Sequence, residues 1–168
     1  VGLWKEVNSI MNHLPFAAWI GTTFCVSGGL SPRLTRPTTD LAQLNDTARP
    51  TPVPDEGILA DLLFTRFDSE DDGWEWEGRG DLTFGARIVQ RFLELTGGTH
   101  IITSPQPVEE GIVNCGKLTK IWTSPRYLEQ FDNDGGVICI DATGTHHEQR
   151  IDKDEVFGAH LLTKPART

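Results

Sequence analysis

The chain has 168 residues, 38% of them hydrophobic, and 24 acidic against 15 basic side chains give a net charge of −9. That length suits one domain rather than two, and the composition excludes both wholesale disorder and a fibrous repeat. The acidity argues against direct binding to a phosphate backbone, and no apolar run approaches the about 18 residues of a spanning helix, so neither nucleic acid nor membrane insertion is expected.

Leu3, Trp4, Val7, Ile10, Met11 and Leu14 recur at three- and four-residue steps ahead of Pro15, which predicts an amphipathic helix. Residues 16–26 predict one or two extended segments with a turn at Gly21-Thr22, and 27–32 (Ser-Gly-Gly-Leu-Ser-Pro) a loop. From Pro32 to Pro54 the chain is a long connection rich in Pro, Thr and Arg, with a short helical stretch near 39–45. Ile58, Leu59, Leu62, Leu63 and Phe64 mark a short helix or a buried turn.

The stretch Asp68 to Glu77 holds six acids and two tryptophans and predicts a solvated acidic loop. Its Asp68, Glu70, Asp72 and Gly73 look like the start of a calcium loop, but the twelfth position is Arg79, where a bidentate Glu is required. A second helix is expected from about Phe84 to Leu95, on the stripe Phe84, Ile88, Phe92 and Leu95, with Thr83 as cap and Gly97-Gly98 as stop.

Short segments then follow at 101–102, 111–115, 118–123, 137–141 and 156–162, separated by Gly, Pro and Asp clusters; they predict strands of one sheet. Cys25, Cys115 and Cys139 are widely spaced in or beside apolar runs, as buried reduced thiols would be, and none has a local His to make it a nucleophile. His146-His147 has no metal-ligand spacing and predicts a polar surface loop. Arg79 stands between Gly78 and Gly80, where a guanidinium either grips a phosphate or pairs with neighbouring acids.

The order of segments carries a resemblance. Leu3-Trp4-Lys5, Leu14-Pro15-Phe16-Ala17-Ala18, Gly28-Gly29-Leu30-Ser31-Pro32, the run from Arg49-Pro50-Thr51 to Leu62-Leu63, Arg79-Gly80, Thr83-Phe84-Gly85 and Phe131-Asp132-Asn133 come in sequence, down to Lys164-Pro165-Ala166. Together they look like the C-terminal half of the PPP-family serine/threonine protein phosphatases, the type-1, type-2A and calcineurin group. The fold this implies is an α/β (α+β) sandwich, the C-terminal half of a calcineurin-like metallophosphatase, with mixed sheets and flanking helices. Residues 1–168 are then the C-terminal portion of a single phosphatase-like domain. The family's N-terminal Gly-Asp-x-His-Gly, Gly-Asp-x-x-Asp-Arg-Gly and Gly-Asn-His-Glu motifs are not in this sequence, which opens at Val1 just after the last of them would end.

The resemblance also implies two histidine ligands of a two-metal centre in this half. The first position is Ser27 and the second, aligned through Val108-Glu109-Glu110-Gly111, is Pro105. A hydroxyl is a poor substitute for imidazole and proline has no side-chain donor, so no metal cofactor and no active catalytic residue are expected. Arg79 matches the family's phosphate-gripping arginine and Tyr127 the tyrosine beside its cleft, both as vestigial positions. Positions matching the apolar groove that recruits regulators to type-1 members read Thr23, His100, Asn114 and His160, which leaves less apolar area for that docking.

An insertion at 143–154, charged and His-rich, interrupts the last hairpin as a private contact or a solvated excursion. The expectation is a catalytically inactive phosphatase homologue serving as a structural or scaffolding subunit. Its partners would be other protein subunits or its own N-terminal half. The setting would be intracellular: cytoplasmic, nuclear, or within a cytoskeletal or organellar assembly. The alternatives are an active phosphoserine/phosphothreonine hydrolase with a remodelled metal centre, and a phosphopeptide-binding module using Arg79.

Overall fold

In a computed structural model of the chain, residues 2–38, 41–77 and 81–155 are described. Helix α1 spans Gly2–Met11, as the apolar spacing predicts. Strands β1 (Ala17–Ile20) and β2 (Thr23–Val26) form an antiparallel hairpin turned at Gly21, whose φ of 59° suits a residue without Cβ. The long connection contains a 3₁₀ turn at Leu41–Leu44, and α2 occupies Ile58–Phe64. That connection is packed rather than loose: Leu34 is buried in the core, and the Thr35 carbonyl accepts a 2.7 Å bond from Arg91 Nε.

Strands β3 (Arg66–Phe67), β4 (Trp74–Glu77) and β5 (Asp81–Phe84) form a small mixed sheet in the order β3-β5-β4. The acidic stretch is therefore only partly the solvated loop its composition predicts. Trp74 packs against Phe84 with ring centroids 5.5 Å apart, which draws the second half of the stretch into a strand. The Asp71 carboxylate turns inward to accept the Thr83 hydroxyl.

Helix α3 covers Ala86–Thr96, two residues later than its apolar stripe suggests. Phe84 closes β5 instead, and Thr83 is no cap, because its hydroxyl is spent on Asp71. Gly85 starts the helix with no side-chain cap; a Cβ there would lie 1.8 Å from the Asp71 carbonyl oxygen. Ile88, Val89, Phe92 and Leu93 form the buried face, while Leu95 is exposed, and Gly97 ends the helix in the left-handed region.

Strands β6 (His100–Thr103), β7 (Ile112–Cys115) and β8 (Leu118–Ile121) join the first hairpin in a five-stranded sheet, ordered β1-β2-β6-β8-β7. Its centre, β2, β6 and β8, is parallel, and its edges are antiparallel. Strand β9 (Gly135–Ile140) does not belong to it. It pairs with β10 (His146–Ile151) in a separate two-stranded ribbon, so the C-terminal strands do not make the one sheet expected. His146-His147 lies in a regular strand, residues 146–151 of the 143–154 insertion, rather than in the polar surface loop expected. The strand expected at 156–162 lies outside the described residues.

One core unites these layers: Phe24, Val26, Ile101 and Leu118 from the large sheet, Phe67 and Phe84 from the small one, Leu62 from α2, and the buried face of α3. Burying such side chains contributes about 1.5–3 kcal/mol each. By contrast α1 buries no residue: Leu3 is 79%, Trp4 72% and Ile10 63% exposed.

Candidate functional site

Strands β2 and β6 run parallel with Val26 opposite Thr103, so Ser27 and Pro105 both fall just beyond their carboxyl ends. That edge is where open parallel sheets present ligands. The two segments are tied directly, the Ser104 amide donating to the Ser27 carbonyl at 3.0 Å.

The loop that follows Ser27 fits its surroundings without slack. Gly28 donates its amide to the Leu62 carbonyl at 2.8 Å, and a Cβ on Gly28 would lie 2.3 Å from the Leu63 carbonyl carbon. Gly29 is equally confined, with Phe84 Cε1 2.3 Å from where its Cβ would stand. Ser31 Oγ donates to Asp61 Oδ2 at 2.6 Å, and Thr65 Oγ1 to the Leu30 carbonyl at 2.8 Å. The Thr103 hydroxyl donates to the Gly28 carbonyl. The Gly-Gly-Leu-Ser-Pro run is thus a packing device that fixes the strand ends against α2.

What those ends carry is chemically poor. Ser27 is exposed and offers a neutral hydroxyl, and Pro105 offers no side-chain donor. The two divalent metals implied by the resemblance do not fit this donor set, since closed metal centres draw on imidazole, thiolate or carboxylate. Among the described residues, no three His, Cys, Asp or Glu side chains come together to hold a metal ion. Burial pushes the Cys25 thiol up from its ordinary pKa, which favours the neutral thiol over a thiolate nucleophile.

Tyr127 is held apart from Ser27 and Pro105 in the chain, in the loop between β8 and β9. Its ring meets Trp122 edge-on at 4.8 Å and Phe131 at 5.9 Å. The loop is strained: Arg126, Leu128 and Glu129 all have left-handed backbone, with φ of 47°, 56° and 57°. Asn133 holds it in place. This residue is 2% exposed; its Oδ1 accepts the Tyr127 amide at 3.0 Å, and its Nδ2 donates to the carbonyls of Ser124 and Asp134. Beside the loop lies an open depression of about 440 Å³ lined by Arg126, Glu129, Gln130, Phe131 and Asp132. Arg79, the other cleft position the resemblance implies, lies outside the described residues, as does His160.

Thr23, His100 and Asn114 come together on one face of the five-stranded sheet. Thr23 stands opposite His100 in the β2–β6 register, and Asn114 opposite Thr119 in the β7–β8 register. Two further residues on that side are His146, which the sequence assigns to a polar surface loop, and Glu148; both stand on β10. No apolar alternation marks their strand, and only the fold brings His146 to Thr23, 123 positions away, and Glu148 to Asn114, 34 positions away.

Two comparisons bear on identity. Residues 1–104 match the family described as calcineurin-like phosphoesterase. The fold is similar to a solved protein serine/threonine phosphatase from Saccharomyces cerevisiae, described as having similarity to human phosphatase PP5. The TM-score is 0.77 at 22% sequence identity, over 90% of this chain and 51% of that one. The chain thus spans about half the length of the structure it matches. No helix among the described residues is long and apolar enough to cross a membrane. With more than half of its residues matching that family's model, and a fold that agrees, this chain belongs to the calcineurin-like phosphoesterase family.

Proposed function

We propose that the protein is a catalytically inactive serine/threonine phosphatase homologue, retained as a structural or scaffolding subunit of a larger protein assembly. The observation that carries this reading is the contrast at one sheet edge. The backbone cradle of the strand ends is packed closely, while the two side chains that would hold metal there are Ser27 and Pro105. Losing two nitrogen donors removes the means of generating a metal-bound hydroxide at neutral pH. Arg79 and Tyr127 remain as vestigial cleft positions.

The exposed stripe of α1 supports a partner requirement. Leu3, Trp4, Ile10, Met11 and Leu14 are all more than half exposed on one short segment. Apolar residues so grouped mark a surface that another polypeptide covers, either a separate subunit or the complementary half of the phosphatase domain.

The test is hydrolysis of a phosphoserine peptide and of a simple aryl phosphate by the purified full-length protein, with manganese or zinc supplied. No turnover above background is expected. Metal-dependent turnover abolished by Arg79→Ala overturns the proposal in favour of an active hydrolase with a remodelled centre.

A further inference from the structure

Alternation along the strands divides the five-stranded sheet into two faces. Phe24, Ile101 and Leu118 point into the core, so Thr23, His100 and Thr119 lie on the opposite, outer face. An outer face would ordinarily be wet, yet Thr23 and Thr119 are each only 2% exposed. The β9–β10 ribbon covers them. His146 Nε2 lies 2.9 Å from Thr23 Oγ1, its ring meets His100 edge-on at 4.9 Å, and Glu148 Oε1 accepts Asn114 Nδ2 at 2.7 Å.

The hydrogen bonds beneath the ribbon run in one direction, and Glu148 sets it. An ionised carboxylate only accepts, so the Asn114 amide nitrogen faces it and Asn114 Oδ1 faces Thr119. Thr119 Oγ1 then donates to Asn114 Oδ1 at 2.6 Å, which leaves it an acceptor for His100 Nε2 at 2.8 Å. Neutral His100 is thereby fixed as the Nε2–H tautomer, and its other ring nitrogen carries no proton.

The ribbon is anchored unequally. At its base the Gly136 amide donates to the Trp122 carbonyl at 2.8 Å, and the Asp134 amide to the Glu109 carbonyl at 2.8 Å. A Cβ on Gly136 would lie 2.3 Å from Ile112 Cγ1, so base and sheet touch backbone to side chain. Toward the turn at 141–145, His146 and Glu148 hydrogen-bond to the sheet, with the half-buried Ile140 and Ile138 paired beside them on the same face of the ribbon.

We propose that the β9–β10 ribbon is a pH-sensitive strap over the outer face of the sheet, latched at neutral pH by His146 on Thr23 and Glu148 on Asn114, and released in mildly acidic solution when the His100 ring beneath it takes up a proton. The titratable groups facing His100 are His146 and Glu148, both on β10; β2, β7 and β8 present the uncharged Thr23, Asn114 and Thr119.

The sign follows from the environment of His100. Burial lowers its pKa most, the neighbouring His146 lowers it further, and Glu148 opposes both. A proton is therefore held less tightly in the latched state than in the open one. The latch is fully favoured above the ordinary imidazole value of about 6.5 and weakens as pH falls below it. Each proton taken up on opening changes the equilibrium by at most about tenfold per pH unit.

Amide hydrogen exchange of residues 146–151, corrected for the intrinsic pH dependence of exchange, tests this between pH 7.5 and 5.5. Protection of the wild-type strand is expected to fall by up to about tenfold, in step with the titration of the His100 ring followed by NMR. His100→Gln keeps an N–H donor for Thr119 but does not titrate, and its protection is expected to lose most of that pH dependence. Glu148→Gln keeps an acceptor for Asn114 while removing the charge that favours protonated His100, so the ratio of protection across the two pH values is expected to widen. Constant wild-type protection, or a His100→Gln variant that loses protection as steeply as wild type, overturns the proposal. If His100→Gln fails to fold, an unchanged or narrowed ratio in Glu148→Gln overturns it instead.

Discussion

Helices α1 and α3 announce themselves in the same way, by apolar residues at three- and four-residue steps, and the fold treats them differently. α3 lays Ile88, Val89, Phe92 and Leu93 into the core, where Phe92 stacks on Trp19 and meets Phe24 at 4.9 Å. α1 buries nothing, and the tryptophan of its stripe is 72% exposed. Periodicity reports that a helix has an apolar face; it does not report whether this chain or another covers it. The difference separates an apolar face that this chain buries, on α3, from one that it leaves exposed, on α1.

Substitutions can break or sharpen that contrast. The largest effect is expected from Phe92→Ala, which empties a fully buried site and should cost about 3–5 kcal/mol in denaturant unfolding. Gly85→Ala comes next. Its Cβ would meet the Asp71 carbonyl at 1.8 Å, and pushing β5 and α3 off the acidic loop should cost about 1–3 kcal/mol by the same measurement.

On α1, Trp4→Ser should shift the stability of the chain by no more than about 0.5 kcal/mol, since the indole is mostly in water. If the proposed partner covers α1, the same change should weaken its co-purification with the chain. A large loss of intrinsic stability on Trp4→Ser would erase the distinction between the helices. The smallest effect is expected on the outer side of α3. Arg87 pairs with Asp72 at 3.3 Å, but both side chains are exposed, so Arg87→Ala should change the unfolding midpoint barely at all.

Much of this was legible in the sequence where signals are local. The hairpin at 17–26 follows from two apolar runs around Gly21-Thr22, and the end of α3 from Gly97. Strands β4 and β10 were not legible. Trp74 lies among acids, and His-His-Glu-Gln-Arg-Ile alternates no apolar face, because β10 contacts the sheet through hydrogen bonds rather than through a hydrophobic stripe.

Phe84 misleads for a related reason: it is apolar and helically spaced from Ile88, but the close approach of Gly85 to Asp71 delays the helix by two residues. The candidate site was legible only by resemblance. Nothing in the local spacing of Ser27 and Pro105 announces that they meet, and it is the parallel pairing of β2 with β6 that brings them to one edge. Asn133 entered the sequence reading as part of a matched segment; its role as the bolt of the Tyr127 loop comes from its three hydrogen bonds.

The central claim is that a phosphatase fold is kept while its metal chemistry is lost. The most direct measurement is the metal content of the full-length protein purified from its own cells, by elemental mass spectrometry after extensive dialysis without chelator. The account predicts far less than one transition metal ion per chain. Two stoichiometric ions per chain, retained through dialysis, would contradict it.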